Sequence, residues 1–268
     1  MAAILKKILT ILLFFTAACE EINDVEIEIG HKEFIVIQAE LKNGYLFQGV
    51  SITRTLPLGE SFDIKKAEVK DAEVYLLING VQVVPIHYTQ DGIYKPLDNL
   101  LIKSRNTYEL FAKADGKEIY SKTKVPSRPE PDNVVFEEDY VWASIFPKPD
   151  EVYGAAWIIQ SNAASVISKA EDFYSITQPL NVSTSSEIIV RTQNITEKYN
   201  NENFRSLTYI KLYSFDKPYY EFFKSRNNSR PIDNSITQGG GAVAWNVYGE
   251  NVIGLFIGIS EGDLIKAN

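Results

Sequence analysis

Two segments of this chain alternate apolar and polar side chains and then stop on a dipeptide suited to a two-residue hairpin. Val69, Asp71, Glu73 and Tyr75 alternate with Lys70, Ala72, Val74 and Leu76 before Asn79-Gly80. Tyr108, Leu110, Ala112 and Ala114 share one face before Asp115-Gly116, and Ile119, Ser121, Thr123 and Val125 form the return. A period of two sends successive side chains to opposite faces of a sheet, which a helix cannot do. The tight hairpin turn needs positive φ at both central residues, and Asn-Gly or Asp-Gly supplies it. Residues 32–125 are therefore expected to form an antiparallel β-sandwich of immunoglobulin-like or transthyretin-like type. The paired cysteines of an antibody domain are missing, so the likeness is one of architecture.

Three prolines follow in close order at Pro126, Pro129 and Pro131. Each fixes its own φ and pushes the preceding residue toward extended geometry, so 126–132 reads as a stiff linker. A second, β-rich domain is expected over 133–268, with strands at 153–160, 187–191, 207–215 and 252–259 and one or two short helices. One helix is expected at 164–173. The other is expected at 217–226, with Asp216 as cap and Pro218 in the first turn, placing Tyr219, Phe222, Phe223 and Arg226 on one face. The chain as a whole is expected to be mainly β.

The beginning of the chain has a different character. Lys6 and Lys7 precede the apolar run 8–15 and the small residues Thr16, Ala17 and Ala18, and the single cysteine, Cys19, comes next. The run falls short of the roughly 20 residues a transmembrane helix needs. Residues 1–18 are a signal peptide by pattern. With Cys19 in place they resemble a bacterial lipoprotein signal, although Thr16 stands where Leu, Val or Ile is usual. That resemblance implies lipidation of Cys19, and with it a protein attached to a membrane through lipid rather than by a span. Residues 19–31 then read as an acidic tether. Within it Glu20 and Glu21 resemble a surface-export signal of Bacteroidota lipoproteins, which implies an outer-membrane, cell-surface address.

Charge and composition exclude several function classes. Loss of residues 1–18 removes Lys6 and Lys7 and moves the formal charge from -8 to -10. Nucleic acid as a partner calls for a basic footprint, so it is not expected. Histidine occurs only at His31 and His87, too few for a histidine-rich metal centre, and a Ser-His-Asp triad would rest on His87 alone. Gly239-Gly240-Gly241 lacks the Lys-Ser/Thr that completes a phosphate loop. No catalytic set, metal or cofactor is expected. The acids Glu137, Glu138, Asp139, Asp150, Glu151, Glu171 and Asp172 leave one enzymatic alternative, a glycoside hydrolase built on two carboxylates across a cleft. Aromatic residues supply the preferred binding candidates, Tyr219 and Tyr220 on the second helix. An exposed tryptophan among Trp142, Trp157 and Trp245 beside them would make a ligand platform.

Several segments also resemble a known family in order and spacing. They are 34–40 (FIVIQAE), 50–55 (VSITRT), 70–74 (KDAEV), 92–94 (GIY), 107–110 (TYEL) and 119–126 (IYSKTKVP) in the first half, and 218–223 (PYYEFF) and 249–258 (GENVIGLFIG) in the second. The family is the Bacteroidota lipoprotein domain of unknown function forty-two forty-nine. Gly254 and Gly258 stand singly where the family has paired glycines. Membership implies no reaction. It implies neighbourhood to TonB-dependent outer-membrane receptors, and so the expectation of a non-enzymatic accessory or binding protein in nutrient uptake, its cargo unspecified. The competing expectation is a structural or adhesive surface lipoprotein.

Overall fold

The computed structural model describes residues 32–57, 59–137, 140–160, 165–167, 176–180, 186–195, 208–228 and 243–266. The expected signal peptide, Cys19, Glu20, Glu21, the rest of the tether 19–31, the Gly239–Gly241 run and all but 165–167 of the expected helix at 164–173 lie outside these residues. Strands β1 (Ile35–Lys42), β2 (Val50–Arg54), β3 (Glu73–Ile78), β4 (Gln82–Gln90), β5 (Ile93–Pro96), β6 (Thr107–Ala114) and β7 (Lys117–Lys124) form the first half, with a short helix α1 (Ile64–Ala67) between β2 and β3. The second half holds β8 (Asn133–Glu137), β9 (Tyr140–Ile145), β10 (Glu151–Gln160), β11 (Ser165–Ile167), β12 (Ile188–Arg191), β13 (Thr208–Asp216), α2 (Lys217–Asn228), β14 (Val247–Tyr248) and β15 (Val252–Lys266). The fold is mainly β.

The two hairpins form as the turn chemistry requires. Asn79 and Gly80 take φ of 51° and 70°, and Asp115 and Gly116 take 50° and 74°. Asp91-Gly92 makes a third turn of the same kind, at 51° and 74°, between β4 and β5. The alternation then decides what is buried: Val74, Leu76, Ile78, Tyr108, Leu110, Ala112, Ala114 and Ile119 enter one core. The returning strand β4 buries only Ile86 and leaves Val83 exposed.

Two layers arise from a single sheet. Its strand order is β11-β10-β13-β15-β1-β2-β5-β4-β3-β6-β7-β14, and the sheet curls until β7 and β14 lie against β15. The first core fills the curl. A second sheet, β12-β9-β8, covers one face of β10 and β13 through Val141, Ala143, Ile145, Trp157, Ile210 and Leu212. Helix α2 covers the other face, where Phe223 meets Val152, Ala156, Phe215 and Ile259. Strand β10 is thus buried on both sides, which explains its nearly unbroken apolar sequence.

Strand β15 joins everything. Residues 252–259 pair in parallel with β1, from Ile35↔Val252 to Lys42↔Ile259, and residues 259–266 pair antiparallel with β13. It supplies Val252 and Phe256 to the first core and Ile257 and Ile259 to the cluster under α2, with Ile265 packed against the remaining one. The sequence expectation of a second domain beginning at 133 assigned β14 and β15 to that domain alone, whereas the packing places their first residues in the first core. A parallel partner 217 positions away leaves no local signal in the pattern.

The proline segment is also packed rather than exposed: Pro126, Ser127 and Pro129 are buried. Ser260 Oγ donates to the Pro126 carbonyl at 2.7 Å, and Ser214 Oγ donates to the Ser127 carbonyl at 2.6 Å. Ser127 donates through both N and Oγ to Glu151 Oε1, each at 2.8 Å. Proline removes N–H donors, so the carbonyls are the groups left to satisfy, and buried serine hydroxyls do it.

The expected helix at 164–173 needs correction at its start, because 165–167 form β11, paired with β10 from Ile158↔Ile167 to Gln160↔Ser165. A short apolar run reads equally as buried helix or strand, and the neighbouring sheet edge decides between them.

Gly254 has φ of +151°, and a Cβ there would lie 2.0 Å from the Ile37 carbonyl oxygen. Gly254→Ala is expected to destabilise the fold by about 3 kcal/mol or more, adding backbone strain to overpacking. Gly116→Ala, which has open space for the methyl at φ of +74°, costs only about 1 kcal/mol from its left-handed backbone. Thermal unfolding of both variants checks this, with a clearly larger fall in Tm expected for Gly254→Ala.

Candidate functional site

Tyr219 and Tyr220 lie in the first turn of α2, directly after β13, so the helix direction is set by a strand held on both faces. Tyr219 stacks on Phe215, with ring centroids 4.1 Å apart. From there an aromatic chain runs outward, Tyr219 to Phe222 at 6.1 Å and Phe222 to Trp245 at 5.7 Å. The Arg226 guanidinium stands 5.8 Å from the Phe222 ring and the Lys224 ammonium 5.8 Å from the Tyr220 ring. The three tryptophans divide by environment. Trp157 is 1% exposed in the core, Trp142 is half-buried with Nε1 donating to Glu137 Oε2 at 2.8 Å, and Trp245 is 39% exposed. The exposed tryptophan is therefore one ring away from Tyr219, and α2 presents a mixed aromatic and cationic face.

Asp216 fixes the start of that helix. It ends β13, is buried, and accepts a hydrogen bond on Oδ2 from the Thr123 hydroxyl of β7. No hydrogen bond reaches Oδ1, while the backbone N–H groups of Gly258, Tyr219 and Asp216 itself face the carboxylate and favour its charged form. Burial dominates and pushes the carboxyl up to about 7, while Thr123 and those N–H groups pull the other way. A cavity of about 280 Å³ adjoins it, lined by Lys122, Lys124, Asp150, Glu151 and Lys217 among others. Lysines and carboxylates are interleaved around this cavity.

A second aromatic assembly lies on the outer face of the first half, and sequence reasoning did not assemble it. Tyr75 of β3, Phe111 of β6, Tyr120 of β7 and Tyr248 of β14 are directly paired across four adjacent strands. Their rings follow at 5.0, 5.1 and 6.5 Å, with Tyr75 40% and Tyr248 62% exposed. Cross-strand aromatic pairs of this kind contribute about 0.5–1.5 kcal/mol each beyond burial. The Tyr120 hydroxyl donates to Glu109 Oε2 at 2.8 Å; burial first, and then this acceptor, push the phenol up to about 12. Two residues farther along the strands, on the same face, Glu73, Lys113 and Glu118 form a parallel charged row. A groove of about 630 Å³ lies here, lined by both rows. The Phe111–Tyr120 pair was readable, because Asp115-Gly116 fixes its register. The Tyr75 and Tyr248 pairings join strands distant in sequence and were not.

Several other charged residues fall into structural settings. Arg54 reaches Glu33 at 3.4 Å and Asp115 at 3.3 Å, which holds β2 to the β6–β7 turn. His87 is exposed on β4. Glu151, one of the acids considered for hydrolysis, is engaged by Ser127 and by the Tyr153 hydroxyl at 2.8 Å. Glu138, Asp139, Glu171 and Asp172 lie outside the described residues. Among the described residues, no group of three or more His, Cys, Asp or Glu side chains is placed to hold a metal ion, and no helix is long and apolar enough to cross a membrane.

The sequence model described as "Domain of unknown function (DUF4249)" matches residues 21–264. The chain belongs to this family. The match spans both halves and all of β15 but its last two residues, in keeping with a DUF4249 unit whose first and last strands pair. No curated protein matches the chain. Among solved structures, a DUF4785 family protein from Legionella pneumophila subsp. pneumophila str. Philadelphia 1 is similar at 13% identity, covering 67% of this chain and 51% of that one, with a TM-score of 0.25. The DUF4249 chain thus spans about half the length of that relative.

Asp216 makes a pH dependence predictable. An unfolded aspartate titrates at its ordinary value of 3.8, so between there and about 7 the folded state holds the extra proton. The stability tied to this proton is full below the unfolded value and is lost as pH rises through about 7. Asp216→Asn, which preserves shape and cannot ionise, is expected to flatten the fall in Tm between pH 4 and 8. Thermal denaturation of wild type and variant across that range checks it.

Proposed function

We propose that this protein is a cell-envelope lipoprotein, anchored through Cys19, that serves as a non-enzymatic accessory to a TonB-dependent outer-membrane receptor in nutrient uptake. The observation that carries the reading is Cys19, placed directly after a charged, apolar and small-residue leader. Each buried methylene contributes about 0.8 kcal/mol, and one chain alone binds a membrane only weakly, so stable anchoring draws on several acyl chains. Glu20 and Glu21 direct the anchored protein to the cell surface. Confinement to the membrane plane raises the effective concentration near a receptor, so a modest interface is enough. The receptor-facing surface in this reading is the α2 face around Tyr219 and Tyr220, to which Trp245 adds an exposed aromatic ring and Arg226 a cation. Aromatic residues and arginine are the side chains most enriched among interface hot spots.

Cys19→Ala is expected to abolish incorporation of a fatty-acid probe in the producing cell, and undiminished labelling would remove the anchor from the proposal. Replacing Glu20 and Glu21 by Ala is expected to keep the label while reducing cleavage by protease added to intact cells. Pull-down of the native protein in mild detergent is expected to recover an outer-membrane receptor. Tyr220→Ala is expected to weaken that recovery, with Tm lowered by no more than a few degrees for the part of its ring that packs against the core. Recovery of a homopolymer and no receptor would favour the structural alternative.

A further inference from the structure

We propose that the groove beside Tyr75, Phe111, Tyr120 and Tyr248 is a cargo site for a neutral oligosaccharide, an assignment of ligand class that rests on the nutrient-uptake reading above. The groove has two unlike walls. One is the aromatic row; the other is the charged row Glu73, Lys113 and Glu118. A sugar ring is unlike on its two sides in the same sense. Its C–H groups pack on an aromatic ring while its hydroxyls donate to carboxylates and accept from an ammonium.

Three observations exclude other ligand classes. Over β3 and β6 the groove crosses the face of the sheet, where the backbone N–H and C=O groups of β6 are committed to ladders on both sides; β7 pairs with the short edge strand β14 at Tyr120 and Ser121. An extended peptide, which binds by adding to a free edge, would find no main-chain partners over β3 and β6, where Glu73, Tyr75, Phe111 and Lys113 lie. The charged wall alternates acid, base, acid, so neither a polyanion nor a polycation is matched in sign along its length. A purely apolar ligand would bury those charges without compensation.

The aromatic wall is also set in advance. Tyr120 is held by Glu109, which is itself 3.7 Å from Lys122. Tyr75 is stacked on Phe111 at an interplanar angle of 11°. A wall ordered before the ligand arrives spares the entropy of ordering it on binding. The exposed rings at the two ends, Tyr75 and Tyr248, leave surface free for a ligand longer than one sugar.

The test uses the full-length protein in detergent micelles and isothermal titration calorimetry. The probes are cellohexaose, maltohexaose, xylohexaose and mannohexaose, with hexagalacturonate and hexameric chitosan as charged counterparts. At least one neutral hexasaccharide is expected to bind saturably and more tightly than either charged probe. Tyr75→Ala and Tyr248→Ala are each expected to weaken it by about tenfold, the scale of one lost aromatic contact, with Tm unchanged by more than a few degrees. Tyr248→Phe is expected to retain affinity, since the ring and not the hydroxyl does the packing. Failure of all four neutral probes, preference for a charged one, or undiminished binding in the double alanine variant would overturn the assignment. Receptor recovery from the same preparation separates the two proposals. A recovered receptor with no sugar binding overturns only the cargo class, and sugar binding without a receptor overturns only the accessory reading.

Discussion

The backbone contact between Gly254 and Ile37 is the constraint on which the rest of the structure depends. Parallel pairing of β15 with β1 closes the first core, and the same strand continues into its pairing with β13. Any side chain at 254 would push into the Ile37 carbonyl, and one at 258 would come within 2.7 Å of Val125 Cα. The two glycines therefore let β15 lie close to β1 on one side and to the end of β7 on the other. Asn246 secures the same strand by a reciprocal pair of bonds, its Nδ2 donating to the Phe256 carbonyl at 2.6 Å and its Oδ1 accepting from the Phe256 N–H at 2.9 Å. These contacts are long-range, so their loop-closure entropy is met only as the chain ends come together. β15 thus holds together strands that lie far apart in the sequence.

How much of this the sequence reveals follows the range of each interaction. The hairpins at Asn79-Gly80 and Asp115-Gly116 were legible because turn chemistry and strand alternation act over a few residues. Helix α2 was legible for the same reason, from its apolar face and from Asp216 just before it. The shared strand was not. The family's terminal glycine-rich strand was recognisable as a strand, yet nothing local tells Gly254 from a turn glycine or identifies β1 as its neighbour. The proline segment misled in an informative way. Prolines fix the backbone equally in a solvated linker and in a buried strap, and the deciding groups, Ser214 and Ser260, lie far along the chain.

The candidate sites divide along the same line. Tyr219 and Tyr220 came from one helix and could be named together. The row on the outer sheet needed three pairings, of which only Phe111 with Tyr120 was fixed by a local turn. Tyr248 joins it because β14 lies just before β15, so the locking of the last strand also places the last ring. The groove and the closure of the fold are in this way linked: without the pairing of β14 with β7, the groove would lack its most exposed ring.

This coupling bears on how the proposed assembly could work at a membrane. The α2 face starts at Asp216, whose carboxylate takes the Thr123 hydroxyl from β7, the strand that also carries Tyr120. Thr123 and Tyr120 point to opposite faces of that strand, one into the junction and one into the groove. A rigid strand with a binding ring on one side and a helix anchor on the other makes the two surfaces parts of one body rather than of two hinged domains. In the proposed assembly, capture and docking would then require no internal rearrangement. Anchoring through Cys19, as proposed, would limit the encounter with a receptor to the membrane plane, where weak contacts at α2 would act at high effective concentration.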